Sequence, residues 1–289
     1  MRYEEAAFAK LNLCLDVTEK LPDGYHALRG IMQSVDYHDD VVLEPGEGTW
    51  TVKSDLSYLP TGETNLAARA AILFREVTGL GPTGGVITLT KRIPVCGGFG
   101  GGSSNAAAVL RLLNRYCGSP LSYAELETVG LRLGADVPFC IRGGTALAEG
   151  KGEKLTPLPD FAGRSLILCR PDFSCSTPEL FRAIDRMKMH IHPDVGGMQR
   201  AVETGDTQGV ARRLFNVFEE ALPRKHSDTV WSIRDALLDS GALGAVMTGS
   251  GSGVFGVYAE EETALAAVPK LEADGIYCRL AHTTGRITE

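Results

Sequence analysis

An α+β architecture in two parts is the fold class that this sequence predicts, on three observations. Alternating apolar runs joined by short polar turns fill the N-terminal stretch, the pattern of an antiparallel sheet. Helix patterns with their own start and stop signals come after these strands. A group of breakers, Pro157, Pro159 and Gly163, then interrupts the chain. The expected domains are residues 1–158 and 159–289.

Composition narrows the class of protein. Of 289 residues, 44% are hydrophobic and 22% charged, enough apolar surface for an ordinary globular core. A net charge of -7 argues against a general nucleic-acid binder and leaves room for a local basic pocket. The seven cysteines, Cys14, Cys96, Cys117, Cys140, Cys169, Cys175 and Cys278, are odd in number and scattered, with no C-x-x-C pair. They read as reduced thiols of a cytoplasmic protein rather than zinc ligands or a disulfide framework, and no protein-held metal is expected. The charged start Met1-Arg2-Tyr3-Glu4-Glu5 is not a signal peptide, and no apolar run is long enough to span a bilayer.

Leu11, Leu13, Leu15 and Val17 alternate, as in a half-buried strand. The same period puts Lys10, Asn12, Cys14 and Asp16 on the other face, which by pattern alone is a solvated face. Leu21-Pro22-Asp23-Gly24 is a turn, since Pro presets φ and Gly accepts φ > 0. It delivers Tyr25 and His26, a pair suited either to a flat ligand or to packing. Three further strands are expected over Ile31–Tyr37, Asp40–Glu44 and Trp50–Lys53. Asn65 caps a helix that runs to about Thr78, with Gly79 as its stop. A strand at Val86–Thr90 leads through Lys91 and Arg92 into Pro94.

Five glycines follow between Pro94 and Ala108, at Gly97, Gly98, Gly100, Gly101 and Gly102, then Ser103, Ser104 and Asn105 before an apolar run from Ala106. The pattern predicts a strand, a glycine loop and a helix capped by Ser103, Ser104 or Asn105. Free amides and the positive helix end make an anion site, and phosphate is the natural guest. A surface turn is the alternative, at a large entropic cost for so many glycines. The loop is not a Walker A motif, because no lysine follows the glycines, and Ser103 stands where a dinucleotide fingerprint needs its third glycine.

Ser122 and Glu125 form a capping box for the next helix. Asp136 then sits between a helix end and an expected apolar strand, Phe139–Ile141, as either a cap or a catalytic carboxylate. Gly143-Gly144 and Glu149–Gly152 punctuate a hairpin. The second half opens with a strand at Leu166–Cys169. A helix follows with Thr177 as N-cap and Pro178 at its first position, and another spans about Asp228–Ser240. The strand Ala245–Met247 runs into a second glycine loop, Thr248–Gly253. Its G-x-G-x-x-G spacing is fortuitous, since Val254–Tyr258 reads as strand rather than helix.

Both glycine loops resemble motifs of the GHMP small-molecule kinases. The resemblance is carried by Lys10-x-Asn12-Leu13, Asp23-Gly24-Tyr25-His26, Gly100–Ala107, Leu133–Pro138 and Met247–Gly251, in order along nearly the whole chain. Within that superfamily the set is similar to the members that phosphorylate the 2-hydroxyl of 4-diphosphocytidyl-2-C-methyl-D-erythritol in the non-mevalonate isoprenoid pathway. Kinases of homoserine, mevalonate-type compounds or sugars, and a catalytically dead nucleotide-binding relative, are the competing readings. The implied fold is an N-terminal domain like ribosomal protein S5 and a ferredoxin-like C-terminal domain, with the site between them.

By that resemblance Asp136 is the base or orienter of the attacking hydroxyl, and Lys10 its cationic partner. Asn12, Tyr25, His26, Thr177 and Phe181 hold the acceptor, with Phe181 stacking on its base. Asn65, Lys91 and Asn105 lie near adenosine. Pro94, Gly97, Gly98, Gly100, Gly101, Gly102, Ser103 and Ser104 wrap the triphosphate. ATP and Mg²⁺ are the implied cofactors, with the hydroxyl of Ser103 or Ser104 near the metal, and no nucleic acid or membrane is involved; the chain is expected as monomer or homodimer. The chain departs from its relatives at Cys96, Phe99, Met32 and Val217. Phosphoryl transfer suits such a site, because it asks mainly for positioning and for stabilisation of spread negative charge.

Overall fold

A computed structural model describes residues 2–187 and 191–288, and among these the strands form a seven-stranded and a four-stranded sheet. Strand β1 (Tyr3–Lys20) pairs antiparallel with the long β2 (His26–Gly46). The turn between them is the expected one: Gly24 has φ 85° and donates to the Leu21 carbonyl.

Two of the three strands expected beyond the turn are one. Ile31–Tyr37 and Asp40–Glu44 both belong to β2. A register irregularity, in which Phe8 faces His38 and the next residue Ala9 faces Val35, absorbs the polar stretch that looked like a turn. Strand β3 (Trp50–Ser54) does not hairpin back onto β2. It lies at the sheet edge, parallel to β4 (Gly84–Thr90), which is antiparallel to β2. A second bulge, between Asn12 and Cys14, breaks the alternation of β1. Cys14 therefore joins Leu13 in the apolar core, and Lys10 and Asn12 are left to share a polar position. The solvated-face reading fails here, for Lys10, Asn12 and Asp16 are all buried.

Helix α1 (Leu66–Thr78) starts at Asn65, whose Oδ1 accepts from the Ala67 amide, and ends at Gly79 with φ 68°. Helix α2 (Gly101–Tyr116) is buried on every side from Ser104 to Asn114. The capping box of Ser122 and Glu125 opens α3 (Tyr123–Leu131). The next segment is helical rather than extended: α4 (Val137–Arg142) includes Phe139–Ile141. Pro138 in its first turn is a helix-start signal, and a short apolar run alone does not distinguish a buried strand from a buried helix. Hairpin β5 (Thr145–Glu149) and β6 (Lys154–Pro157) adds to the N-terminal half of β2.

The second sheet has the order β11-β7-β10-β9, every neighbour antiparallel. Its strands are β7 (Ser165–Arg170), β9 (Gly244–Met247), β10 (Val254–Val257) and β11 (Tyr277–His282). Helices α8 (Arg224–Asp239) and α9 (Glu261–Ala273) complete a strand-helix-strand-strand-helix-strand unit. Between β7 and α8 come α5 (Thr177–Ile184), α6 (Val195–Glu203), α7 (Thr207–Ala211) and the short β8 (Phe215–Asn216). The N-cap of α5 is Ser176, one residue before the expected Thr177. Strand β8 pairs parallel with β1, so the later half adds an edge to the first sheet. We propose residue 158 as the end of the first domain, between β6 and β7, with β8 crossing back over that division.

Apolar side chains fill three clusters. One lies between the first sheet and α1–α4, and one fills the second unit and reaches Leu15 and Val17 of β1 and Leu180 and Ile184 of α5. The third joins Leu11, Leu13 and Phe99 of the first half to Leu168, Val246 and Phe255 of the second. The two halves therefore share a dry seam, and burial of this kind contributes about 25 cal/mol per Å².

Candidate active site

The two glycine loops meet at the top of that seam. The Gly253 amide donates to the Gly97 carbonyl at 3.0 Å, and a Cβ on Gly249 would lie 2.9 Å from the Gly98 carbonyl oxygen. Gly98 has φ 79°, and any side chain on it would strike the Thr248 carbonyl. Glycine is required here because backbone packs directly on backbone. Phe99 is buried beneath this contact, its ring against Gly253. Cys96 is exposed and has φ 56°, a left-handed conformation that glycine adopts more cheaply. That is the physical content of its departure from the motif.

Helix α2 begins at Gly101, earlier than expected. Its N-cap is Gly100 with φ 73° and no side-chain cap. Ser103, Ser104 and Asn105 are inside the first turns rather than capping them. The first amides of the helix, at Gly101, Gly102 and Ser103, have no intrahelical acceptor, so the anion site has more donors than a side-chain-capped helix would leave. The hydroxyl of Ser104 is turned inward and donates to the Phe8 carbonyl at 2.7 Å. Ser103 is the half-buried hydroxyl that remains at the helix start.

Lys10 is placed by β1 directly beside this helix start. Its amide donates to the Phe99 carbonyl at 3.0 Å, and a Cβ on Gly100 would lie 2.8 Å from its Cγ. Lys10 Nζ donates to Asn12 Oδ1 at 2.8 Å and lies 3.5 Å from Asp136 Oδ2. The Lys10 side chain is 6% exposed and that of Asp136 37%, so the ammonium is held inside while the carboxylate opens outward. Asp136 precedes α4 but makes no side-chain cap. Behind it, burial first and the Asp136 charge second push the Cys140 thiol up to about 12, so it is a neutral packing group.

A second group lies at the strand side of the loop. Lys91 Nζ pairs with Asp39 and donates to Asn105 Oδ1 at 3.0 Å, while Asn105 Nδ2 donates to Asp39 Oδ2 at 2.9 Å. Asp39 also accepts from the amides of Arg92 and Ile93. Leu66 of α1 approaches Gly102, which brings Asn65 to the same end. Pro94 lies against Gly97 within the loop.

The third group is at the far end of β1 and β2. His26 stacks on Phe181 with ring centroids 4.6 Å apart and 15° between planes, and Phe218 meets Phe181 edge-on. Tyr25 is 63% exposed, with Lys151 Nζ 4.1 Å from its ring centroid. Thr177 exchanges a hydrogen bond of 2.7 Å with Ser250, linking α5 to the second glycine loop. Met32 is buried opposite Asn12.

Four further residues shape the site. Asp39 is one, detectable only as a charge inside a strand pattern. Asn216 donates to the Met247 and Gly249 carbonyls, both at 2.8 Å, and so pins the second glycine loop. Its neighbour Val217 is fully buried in the apolar core. Arg111 interrupts an apolar helix pattern; it is buried and donates to the Cys140 and Ile141 carbonyls, fixing α4, the helix that follows Asp136. Asp185 binds His26 and Lys20.

Similarity to known proteins follows the same layout. Residues 65–144 match the family model described as GHMP kinases N terminal domain, and residues 198–276 match GHMP kinases C terminal. A 4-diphosphocytidyl-2-C-methyl-D-erythritol kinase of Clostridium beijerinckii is 40% identical over 87% of this chain and 89% of its own. One from Clostridium perfringens is 41% identical over 90% of each. A crystal structure of 4-(cytidine 5'-diphospho)-2C-methyl-D-erythritol kinase superposes with a TM-score of 0.81 at 31% identity, covering 98% of this chain and all of that one. The homoserine kinase of Cytophaga hutchinsonii, at 22% identity and a TM-score of 0.72, shares the fold.

Proposed function

The chain belongs to the 4-diphosphocytidyl-2-C-methyl-D-erythritol kinases, a branch of the GHMP kinases, and from that membership we propose how its residues carry out the reaction. It is an ATP-dependent kinase of the non-mevalonate isoprenoid pathway, and the acceptor is the 2-hydroxyl of 4-diphosphocytidyl-2-C-methyl-D-erythritol. The observation that carries the assignment of roles is the Lys10–Asp136 pair at the start of α2, with its carboxylate free of any capping duty.

Asp136 accepts the proton of the attacking hydroxyl. Lys10, held by Asn12, faces both that carboxylate and the charge that develops on the transferred phosphoryl group. The amides of Gly101, Gly102 and Ser103 and the dipole of α2 bind phosphate oxygens in place of a Walker lysine. Asn65, Lys91 and Asn105 border the nucleoside end of ATP, and Tyr25, His26 and Phe181 the cytidine end of the acceptor.

No cluster of three His, Cys, Asp or Glu side chains is arranged for a metal among the described residues. That donor set fits a Mg²⁺ ion carried mostly by phosphates, which needs only one or two protein oxygens. Ser103, half-buried at the start of α2, would offer one such oxygen, with charge neutralisation on the phosphates as the ion's contribution; Ser104, bonded inward, would not. No helix among the described residues is long and apolar enough to cross a membrane.

The test is ATP turnover by the purified chain with 4-diphosphocytidyl-2-C-methyl-D-erythritol, homoserine and galactose. Turnover of the first alone is expected. Turnover restricted to the other two would overturn the acceptor assignment.

A further inference from the structure

Helix α4 carries Asp136 at its start and has only six residues, too few to hold its shape alone. The last four carbonyls of such a helix have no donor within it. The Gly143 amide reaches that of Phe139, and Arg111 reaches those of Cys140 and Ile141. The fourth, on Arg142, accepts from the Ile287 amide at 2.8 Å. Ile287 belongs to a strap, residues 283–287, that continues β11 out of the second sheet and across the first half. Thr283 bridges to Val35 and Arg286 to Gly143. The Thr284 amide donates to the Ser34 carbonyl at 2.9 Å, and Arg286 donates to the Leu158 carbonyl through Nη2 and to Asp160 through its amide. Gly143 and Gly144, with φ 64° and 77°, make room for the strap, and a Cβ on Gly144 would lie 2.6 Å from Arg286 Cγ.

We propose that this strap is a positioning element for phosphoryl transfer, with the Ile287 amide fixing the end of α4 and so the aim of Asp136. The proposal rests on the reading of Asp136 as the proton acceptor. Asp136 makes no side-chain cap, so its direction toward Lys10, 3.5 Å away, depends on the backbone that carries it. Arg111 fastens that backbone from the first half, and the strap fastens it from the second. Seating of the second sheet and placement of the carboxylate are therefore coupled. Loss of one fastening displaces a reacting group without touching the groups that bind ATP or acceptor, and such a displacement costs rate more than affinity.

The experiment compares the wild-type chain with Ile287→Pro, which removes the amide proton, and Ile287→Ala, which keeps it. The readouts are kcat and KM for ATP and the diphosphocytidyl acceptor, and amide hydrogen exchange followed by NMR. Ile287→Pro should lower kcat about tenfold with both KM values within about twofold of wild type. The amides of Cys140 and Gly143, which close the turns of α4, should exchange at least about tenfold faster, while those of α1 keep the wild-type rate. Ile287→Ala should recover kcat to within about threefold of wild type. Wild-type kcat in Ile287→Pro, unchanged exchange at Cys140 and Gly143, or faster exchange throughout the molecule overturns the proposal. So does a loss of rate in Ile287→Ala as large as in Ile287→Pro. Absence of turnover by the wild-type chain would refute the functional reading instead, and the exchange rates still decide whether the strap fixes α4.

Discussion

Asp136 has a carboxylate that its own helix leaves unused, and Lys10 supplies the charge beside it. Substituting Asp136→Asn keeps the shape of the side chain and removes the carboxylate proposed to accept the proton. Turnover should fall by at least about 100-fold, while ATP binding measured by calorimetry stays within a few-fold of wild type. Activity close to wild type would remove Asp136 from the base role. Asp39 works differently. Fully buried, it holds the Lys91 ammonium, the Asn105 amide and two backbone amides, so four groups beside the first glycine loop depend on one carboxylate. Lys91 and Asn105 are thus held in place before any ligand arrives, and removing their shared partner would leave a buried charge uncompensated.

At the level of elements, the central unit is the pair of glycine loops together with the start of α2. The loops touch through backbone, and Phe99 fills the space under them. A Cβ on Gly253 would lie 2.5 Å from the Gly97 carbonyl oxygen and press into the Phe99 ring. Gly253→Ala should therefore lower stability by about 1–3 kcal/mol in chemical denaturation. Adding Phe99→Leu should recover only part of that loss, because the clash with the Gly97 carbonyl remains. Full recovery in the double variant would show the ring, not the backbone, to be the constraint. Arg111 and Asn216 serve the same unit from opposite sides, one fixing α4 and the other the second loop.

Across the whole molecule, titration should leave a broad plateau of stability with two edges. On the acid side the carboxyls of Asp40, Asp185 and Asp194 are held below their ordinary value of 3.8, chiefly by hydrogen bonds from Arg92, His26 and the Gly197 amide. The unfolded chain takes up those protons first. The stability they contribute is present above pH about 4 and lost as pH falls through the lowered values. On the alkaline side burial pushes the thiols of Cys14 and Cys140 from 9.0 up to about 12. There the unfolded chain loses protons first, so stability is intact below pH 9.0 and falls as pH rises toward about 12. Melting temperatures across pH 3–11 check both edges; a rise on either side would reverse the assigned direction.

Local chemistry determined much of this protein in advance. Asn65 and Gly79 bracket α1, Ser122 and Glu125 open α3, and Pro22 to Gly24 make their turn, because each depends on neighbours within a few residues. The first glycine loop and the pairing of Lys10 with Asp136 were likewise legible, through glycine content and a spaced set of motifs. What lay beyond local pattern was decided by tertiary contact. Burial between α2, α3 and β1 makes Phe139–Ile141 helical. Helix α2 starts at Gly101, where the Lys10 stem lies against Gly100, and Ser104 turns inward to the Phe8 carbonyl. The bulge at Asn12–Cys14 selects which polar residues of β1 share a site. Asp39 and Asp185 acquire their partners from strands and helices far away in the chain. Such partners exist only once the chain has closed on itself, because short-range signals specify backbone conformation and leave open which distant groups a buried charge will meet.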